Sequence, residues 1–105
     1  MKYVLVVRPR ADIDLAAHFL YLSERNPQAA LRFDKAIAAA LRKIQSDPCI
    51  GPRLAHEKTR HLDLRFYRPK GFRQYLVIFR LHDHTIYVSR ILHGSQNIET
   101  AILDS

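Results

Sequence analysis

Only one of the 105 residues is a cysteine, none is a tryptophan and three are glycines. Each scarcity removes a class of protein. The lone Cys49 cannot close an internal disulfide and has no CxxC or conspicuous histidine partner, so an inert thiol in a cytoplasmic protein is expected. The glycines stand apart at 51, 71 and 94, which leaves no Gly-rich phosphate loop, and neither a G-x-S-x-G elbow nor an H-E-x-x-H motif is present, so no cofactor is expected. His82-Asp83-His84 has two imidazoles at ligand spacing without a third ligand in the neighbourhood, and no metal is expected there. No run of about 18 apolar residues exists, and the opening Tyr3–Val7 stretch is too short for a secretory segment. Carboxylates are also few. Ten Asp and Glu against 17 Lys and Arg leave a formal charge of +7, which favours an anionic partner such as nucleic acid or an acidic protein segment over a membrane. The length suits a single domain over residues 1–105, with neither repeats nor low-complexity tracts.

What is present reads as an α+β pattern. Tyr3–Val7 is a β-branched and aromatic run stopped by Arg8-Pro9, a strand handing over to a helix with proline in its first turn. From Ala11 to about Ser23, Ile13, Ala16, Ala17 and Leu20 share one helical face, with Leu15, Phe19 and Leu22 beside it, and Asp12 and Asp14 suit the positive N-terminal end. Asn26-Pro27 restarts a helix to about Ser46, whose Ala30, Phe33, Ile37, Ala40, Leu41 and Ile44 keep helical spacing. The short link makes the two helices an antiparallel hairpin. Pro48 to Arg60 lacks periodicity and reads as a surface loop.

His61–Phe66, Phe72–Leu81 and Thr85–His93 read as strands, the last two joined through His82-Asp83-His84. In the last strand Ile86, Val88 and Leu92 alternate with Thr85, Tyr87, Ser89 and His93. A short terminal helix fits within Ser95–Leu103. The order β-α-α-β-β-β predicts a helical hairpin on one face of a small, mostly antiparallel sheet, leaving the other face for function.

Arginines interrupt the apolar pattern of the last strands. Arg73, Arg80 and Arg90 must reach water with their head groups or meet an acidic partner. Arg53, Lys58, Arg60, Arg65, Arg68 and Lys70 lie with them in the loop and strands of residues 53–93, against only Glu57, Asp63 and Asp83, so a single cationic platform is expected.

In their order and spacing these residues resemble the ParE/RelE superfamily of type II toxin–antitoxin toxins. The likeness rests on Pro9, Ala11, Asp14 and Leu15 after the first strand, and on Asn26, Pro27, Ala29 and Phe33 at the second helix. It continues through Pro48 with Gly51, Leu64-Arg65, Phe72-Arg73, the Tyr75–Arg80 run and the closing Arg90-Ile91-Leu92-His93-Gly94. The last segment is similar to the ParE branch, although Ser95-Gln96 follows where that branch carries basic residues. The resemblance implies a RelE/ParE-like fold and a growth-arresting toxin neutralised by an acidic antitoxin, with a heterotetramer as one arrangement. ParE-like members poison DNA gyrase and block replication, whereas RelE-like members cut mRNA on the ribosome.

Metal-free RNA cleavage needs a base, an acid and cations around the phosphorane. Arg73, after Gly71-Phe72, keeps an arginine of the nuclease branch, and His93 and Arg65 complete the candidates for that chemistry. Against it, the strand positions that are basic in nucleases hold His61 and Asp63, and Ser95–Thr100 supplies neither tyrosine nor cation. A gyrase inhibitor without turnover is therefore the first expectation and a ribosome-dependent endoribonuclease the alternative. Arg73, Arg80, Arg90 and His93 are the expected target contacts, and Arg65, Phe33, Ile37 and Leu41 the expected antitoxin contacts. A nucleic-acid-binding module is a third class, but no helix-turn-helix, RRM or OB pattern supports it.

Overall fold

The computed structural model describes residues 2–104. Strand β1 (Val4–Val7) leads into helix α1 (Pro9–Arg25), and helix α2 (Pro27–Ser46) follows after a single residue. That residue, Asn26, closes α1 by donating its backbone N–H to Leu22 O, and its side chain accepts from Ala29 N at 3.2 Å to open α2. Pro27 in the first turn stiffens the restart, so one asparagine ends one helix and caps the next. Strands β2 (Arg65–Tyr67), β3 (Tyr75–His82) and β4 (Thr85–His93) and the short helix α3 (Ile98–Leu103) complete the chain. The sheet order is β1-β4-β3-β2, antiparallel except that β1 runs parallel to β4.

Both faces of the sheet carry apolar cover. On the helical side, Ala11, Phe33, Ile37, Ala40 and Ile44 pack on Tyr75, Val77, Phe79, Ile86, Val88 and Ile91. Each large side chain removed from water here contributes about 1.5–3 kcal/mol. Phe33 meets Tyr75 at 4.8 Å and Phe72 at 5.5 Å between ring centroids, tying α2 to the turn that starts β3. On the opposite face Leu54, Leu64 and Ile102 cover Leu76, Ile78 and Leu92. The expectation of a functional face free of cover thus holds for only part of the sheet. The stretch from Pro48 to Arg60, expected as a surface loop, supplies much of that cover: Leu54, Gly51 and Thr59 are buried.

Several expected boundaries move for identifiable reasons. His61–Phe66 is not one strand: Arg60–Leu62 forms a 3-10 turn, Asp63 adopts left-handed backbone at φ 53°, and pairing starts only at Arg65. β3 begins at Tyr75 and not at Phe72, because Arg68 to Gln74 is turn, with Gly71 at φ 82°. The hairpin is tighter than expected, since His82 still pairs with Thr85 and Asp83, at φ 55°, takes the left-handed position.

The stripe on α1 is reversed. Ile13, Ala16, Ala17 and Leu20 face away from the sheet, Ile13 and Leu20 being 62% and 59% exposed, while Ala11, Asp14, Leu15, His18 and Leu22 turn inward. In β4 a register shift opposite Ile78 and Phe79 inserts one extra residue, so Val88 and Ile91 lie on the helical side and Leu92 on the other. The simple alternation through Leu92 does not survive that bulge.

Candidate functional site

β1 ends at Val7, opposite Val88, and leaves the rest of β4 without a strand on that edge. Helix α1 completes the edge with side chains one turn apart. Asp14 Oδ2 accepts from Ile91 N at 3.0 Å, and His18 Nε2 lies 2.8 Å from Ile91 O. A carbonyl can only accept, so His18 carries its proton on Nε2. Asp14 also holds Arg90 through a two-pronged pair, Nε to Oδ2 at 2.7 Å and Nη2 to Oδ1 at 2.9 Å, and Arg90 Nη1 donates to Ala101 O at 2.6 Å.

Arg90 is 5% exposed, and its affinity for the proton is raised by the hydrogen bond to Asp14 and by that carboxylate's charge, against the opposing effect of burial. Arg90 was expected on the target-binding surface. It is instead a buried cross-brace between α1, β4 and α3, which is the acidic-partner outcome of the two its sequence context allowed.

The remaining expected site residues do not converge. Tyr75 pairs with His93 at one end of the β3–β4 ladder and Arg80 with Tyr87 at the other. Five residue steps of extended chain take Tyr75 to Arg80, roughly 17 Å. The single platform is therefore two sites. Arg65 donates Nη1 to Gly51 O at 2.7 Å and so pins the covering loop to β2. Asp63 pairs with Arg53 at 2.8 Å on the surface, where such a bridge contributes about 0–1 kcal/mol. Phe33 and Ile37 are fully inside and Leu41 is half-buried against the same core, so the expected antitoxin contacts at these positions are core contacts.

At the His93 end, a cavity of about 300 Å³ is lined by His18, Tyr21, Tyr75, His93, Ser95 and Gln96. The His93 ring stands edge-on to Tyr75 at 4.9 Å. Its Nδ1 accepts from Ser95 N at 3.0 Å and lies 2.7 Å from Ser95 Oγ, while its backbone N–H donates to Gln96 Oε1 at 2.7 Å. A backbone N–H only donates, so Nδ1 is unprotonated and already occupied. Burial, followed by the neighbouring Tyr21, raises the pKa of Tyr75 above its ordinary value. Arg73 is exposed in the turn before β3; its carbonyl receives Arg68 Nη1 at 2.6 Å, and its side chain does not line the cavity.

At the other end, Arg8, Arg10 and Arg80 border a second cavity of about 500 Å³ together with Tyr87. A third recess, about 650 Å³, lies along α2, with Arg32, Lys35, Lys43 and Lys70 around Ala36, Ala39 and Phe72. Asp14, His18, Tyr87, Arg8 and Arg10 were missed as members of these sites. The i, i+4 spacing of Asp14 and His18 within an apolar helix is the one local signal that something polar is being met on that face.

The sequence matches the family model for the ParE toxin of the parDE type II toxin–antitoxin system over residues 5–98. The chain belongs to the ParE toxin family. It is 32% identical over 94 residues to Toxin RelE1 of Caulobacter vibrioides (strain ATCC 19089 / CIP 103742 / CB 15), covering 90% of this chain and 96% of that one. A solved structure of the chromosomal ParDE TA system from P. aeruginosa superposes with a TM-score of 0.72 at 19% identity, covering 88% of this chain and 96% of that chain, and shares its fold. The RelE/ParE-like α+β fold expected from the residue pattern is thus the fold found, and the chain is a toxin of a type II system. Among the described residues no helix is long and apolar enough to cross a membrane.

Proposed function

We propose that this ParE-family toxin acts by binding: it inhibits DNA gyrase as a protein ligand, blocks replication, and cleaves no bond of its own. The observation that carries the reading is the composition of the cavity at His93. Its lining holds two imidazoles and two phenols but neither an arginine, a lysine nor a carboxylate. Hydrolytic or transesterifying attack on RNA builds charge on a phosphorane that cations must meet, and a proton-transfer pair must stand within hydrogen-bond reach. His93 Nδ1 is occupied by Ser95, and Arg73 lies outside the lining. Exposed Arg73 and Arg80 and half-buried His93 remain the proposed target contacts.

Purified toxin added to gyrase should suppress supercoiling and accumulate cleaved DNA complexes, and cells expressing it should filament. Undisturbed supercoiling at saturating toxin would refute the proposal. The second reading, a ribosome-dependent mRNA endoribonuclease, is favoured by the likeness to Toxin RelE1 of Caulobacter and by the Gly71-Phe72-Arg73 turn. Cuts within codons, mapped by primer extension on mRNA from expressing cells, would establish it in place of gyrase.

The same proposal assigns neutralisation to an acidic, amphipathic antitoxin segment. Two surfaces suit it. The recess along α2 joins an apolar floor to four cations, and the outward stripe of α1, with Leu31 of α2 also exposed, is apolar without cover from the described chain. A complex of two toxins with two antitoxins is one assembly this allows. An antitoxin lacking its acidic segment should fail to protect cells, and retained protection would contradict the assignment.

A further inference from the structure

The sheet face opposite the helical hairpin is divided. Leu54, Leu64 and Ile102 cover the β2–β3 side, and toward β1 the cover stops. Val6, Tyr87 and Arg80 lie side by side there across β1, β4 and β3, as the register pairs Val6 with Tyr87 and Tyr87 with Arg80. Arg8 follows at the end of β1, where its backbone N–H donates to Val88 O. The guanidinium groups of Arg8 and Arg80 stand 5.8 and 5.9 Å from the centroid of the Tyr87 ring. Arg10 borders the same cavity of about 500 Å³, whose floor is Leu62, Leu64 and Ile102.

We infer that this cavity is a phosphate site, taking the phosphate of a nucleotide, either free or at the end of a nucleic-acid strand. Three features point there. All three free cations of the lining are arginines, whose planar forks match the oxygens of a phosphate, and no lysine is among them. Among the described residues no Asp or Glu lines the cavity, and none forms a salt bridge with Arg8, Arg10 or Arg80. Like charges gathered without a counter-ion leave an attractive potential for an anion. A single carboxylate occupies one fork and leaves the other cations unanswered, whereas a phosphate presents three peripheral oxygens. The apolar floor gives the attached base or sugar a surface to bury, and the volume lies within the range of small-ligand sites. The fourth arginine in the lining, Arg90, is already held by Asp14 and anchors the wall.

The inference stands apart from gyrase inhibition, because it is read by ligand binding to the toxin alone. Adenosine 5′-monophosphate, a 5′-phosphorylated decanucleotide, the same strand without its phosphate, and a decaglutamate peptide are titrated into the full chain, followed by calorimetry and by NMR of the arginine Nε–H and Tyr87 resonances. The nucleotide should shift Arg8, Arg80 and Tyr87. Arg8→Gln and Arg80→Gln should each weaken its binding at least tenfold, with Arg80→Lys, which keeps the charge and loses the fork, falling between. Lys35→Gln and Lys70→Gln, in the recess along α2, should leave it unchanged. If the phosphorylated strand binds and the mononucleotide does not, the source is nucleic acid; the reverse identifies a free nucleotide. Equal weakening by the lysine and arginine variants would reduce the effect to net charge, and stronger binding of decaglutamate at these resonances would assign the cavity to an acidic peptide. Either overturns the inference, as does the absence of any shift while circular dichroism shows the fold intact.

Discussion

Removing the Asp14 carboxylate is the sharpest perturbation this fold offers. The group takes two hydrogen bonds from Arg90 and one from Ile91 N, and Arg90 is 5% exposed. Breaking a buried ion pair from one side costs about 3–5 kcal/mol, because the partner charge stays buried. A chain of this length is stable by only about 5–15 kcal/mol in total. Asp14→Ala adds an unsatisfied Ile91 N–H, whereas Asp14→Asn keeps an acceptor there, so the alanine variant should be the weaker by about 1–3 kcal/mol.

Removing both charges tells the contributions apart. Asp14→Asn combined with Arg90→Met leaves neither ion buried alone and should recover most of the loss, since whole pairs replaced by apolar groups are often neutral. Urea denaturation followed by circular dichroism measures the parent, Asp14→Ala, Asp14→Asn, Arg90→Met and the double variant; with a slope of about 1–3 kcal/mol per M, each single variant should lose at least about 1 M in midpoint. Single losses below about 1 kcal/mol, or a double variant whose loss is the sum of the singles, would refute the account of Arg90 as a buried brace.

Gly51→Ala should destabilise by about 1–3 kcal/mol, because a Cβ at this position presses into the Phe66 carbonyl and the Phe79 ring, and thermal melting reads it. Tyr75 holds its proton more tightly in the fold than unfolded, so its contribution is complete below the unfolded pKa of about 10 and is lost as pH rises through the higher folded value. Tyr75→Phe should accordingly unfold less steeply than the parent above about pH 10 while matching it near neutrality, and identical alkaline profiles would contradict the burial argument. Ile13→Glu with Leu20→Glu changes residues on the outer stripe of α1 and should alter stability by no more than about 1 kcal/mol. Toxicity should persist while antitoxin affinity, by calorimetry, falls; unchanged affinity would move the antitoxin off this face.

The sequence by itself determined the elements and their order. Asn26-Pro27 marked the helical restart, Ala30, Phe33, Ile37, Ala40 and Ile44 marked the buried face of α2, and Thr85–His93 marked β4 to the residue. Residue spacing also carried the family, and composition the basic character. The tertiary structure decided what those stripes meet. Helical period groups Ile13, Ala16, Ala17 and Leu20 but does not say that Asp14 and His18 are needed inward, where β1 stops short and β4 has a bare N–H and C=O to satisfy. One inserted residue opposite Ile78 and Phe79 changes which side chains of β4 share a face, and no residue type announces it. That register sets Arg90 against Asp14, and the length of β3 parts Arg80 from His93. Local pattern records which residues travel together along a helix or strand; which neighbour they find, and whether a charge ends in water or against a carboxylate, depends on backbone groups far away in the chain.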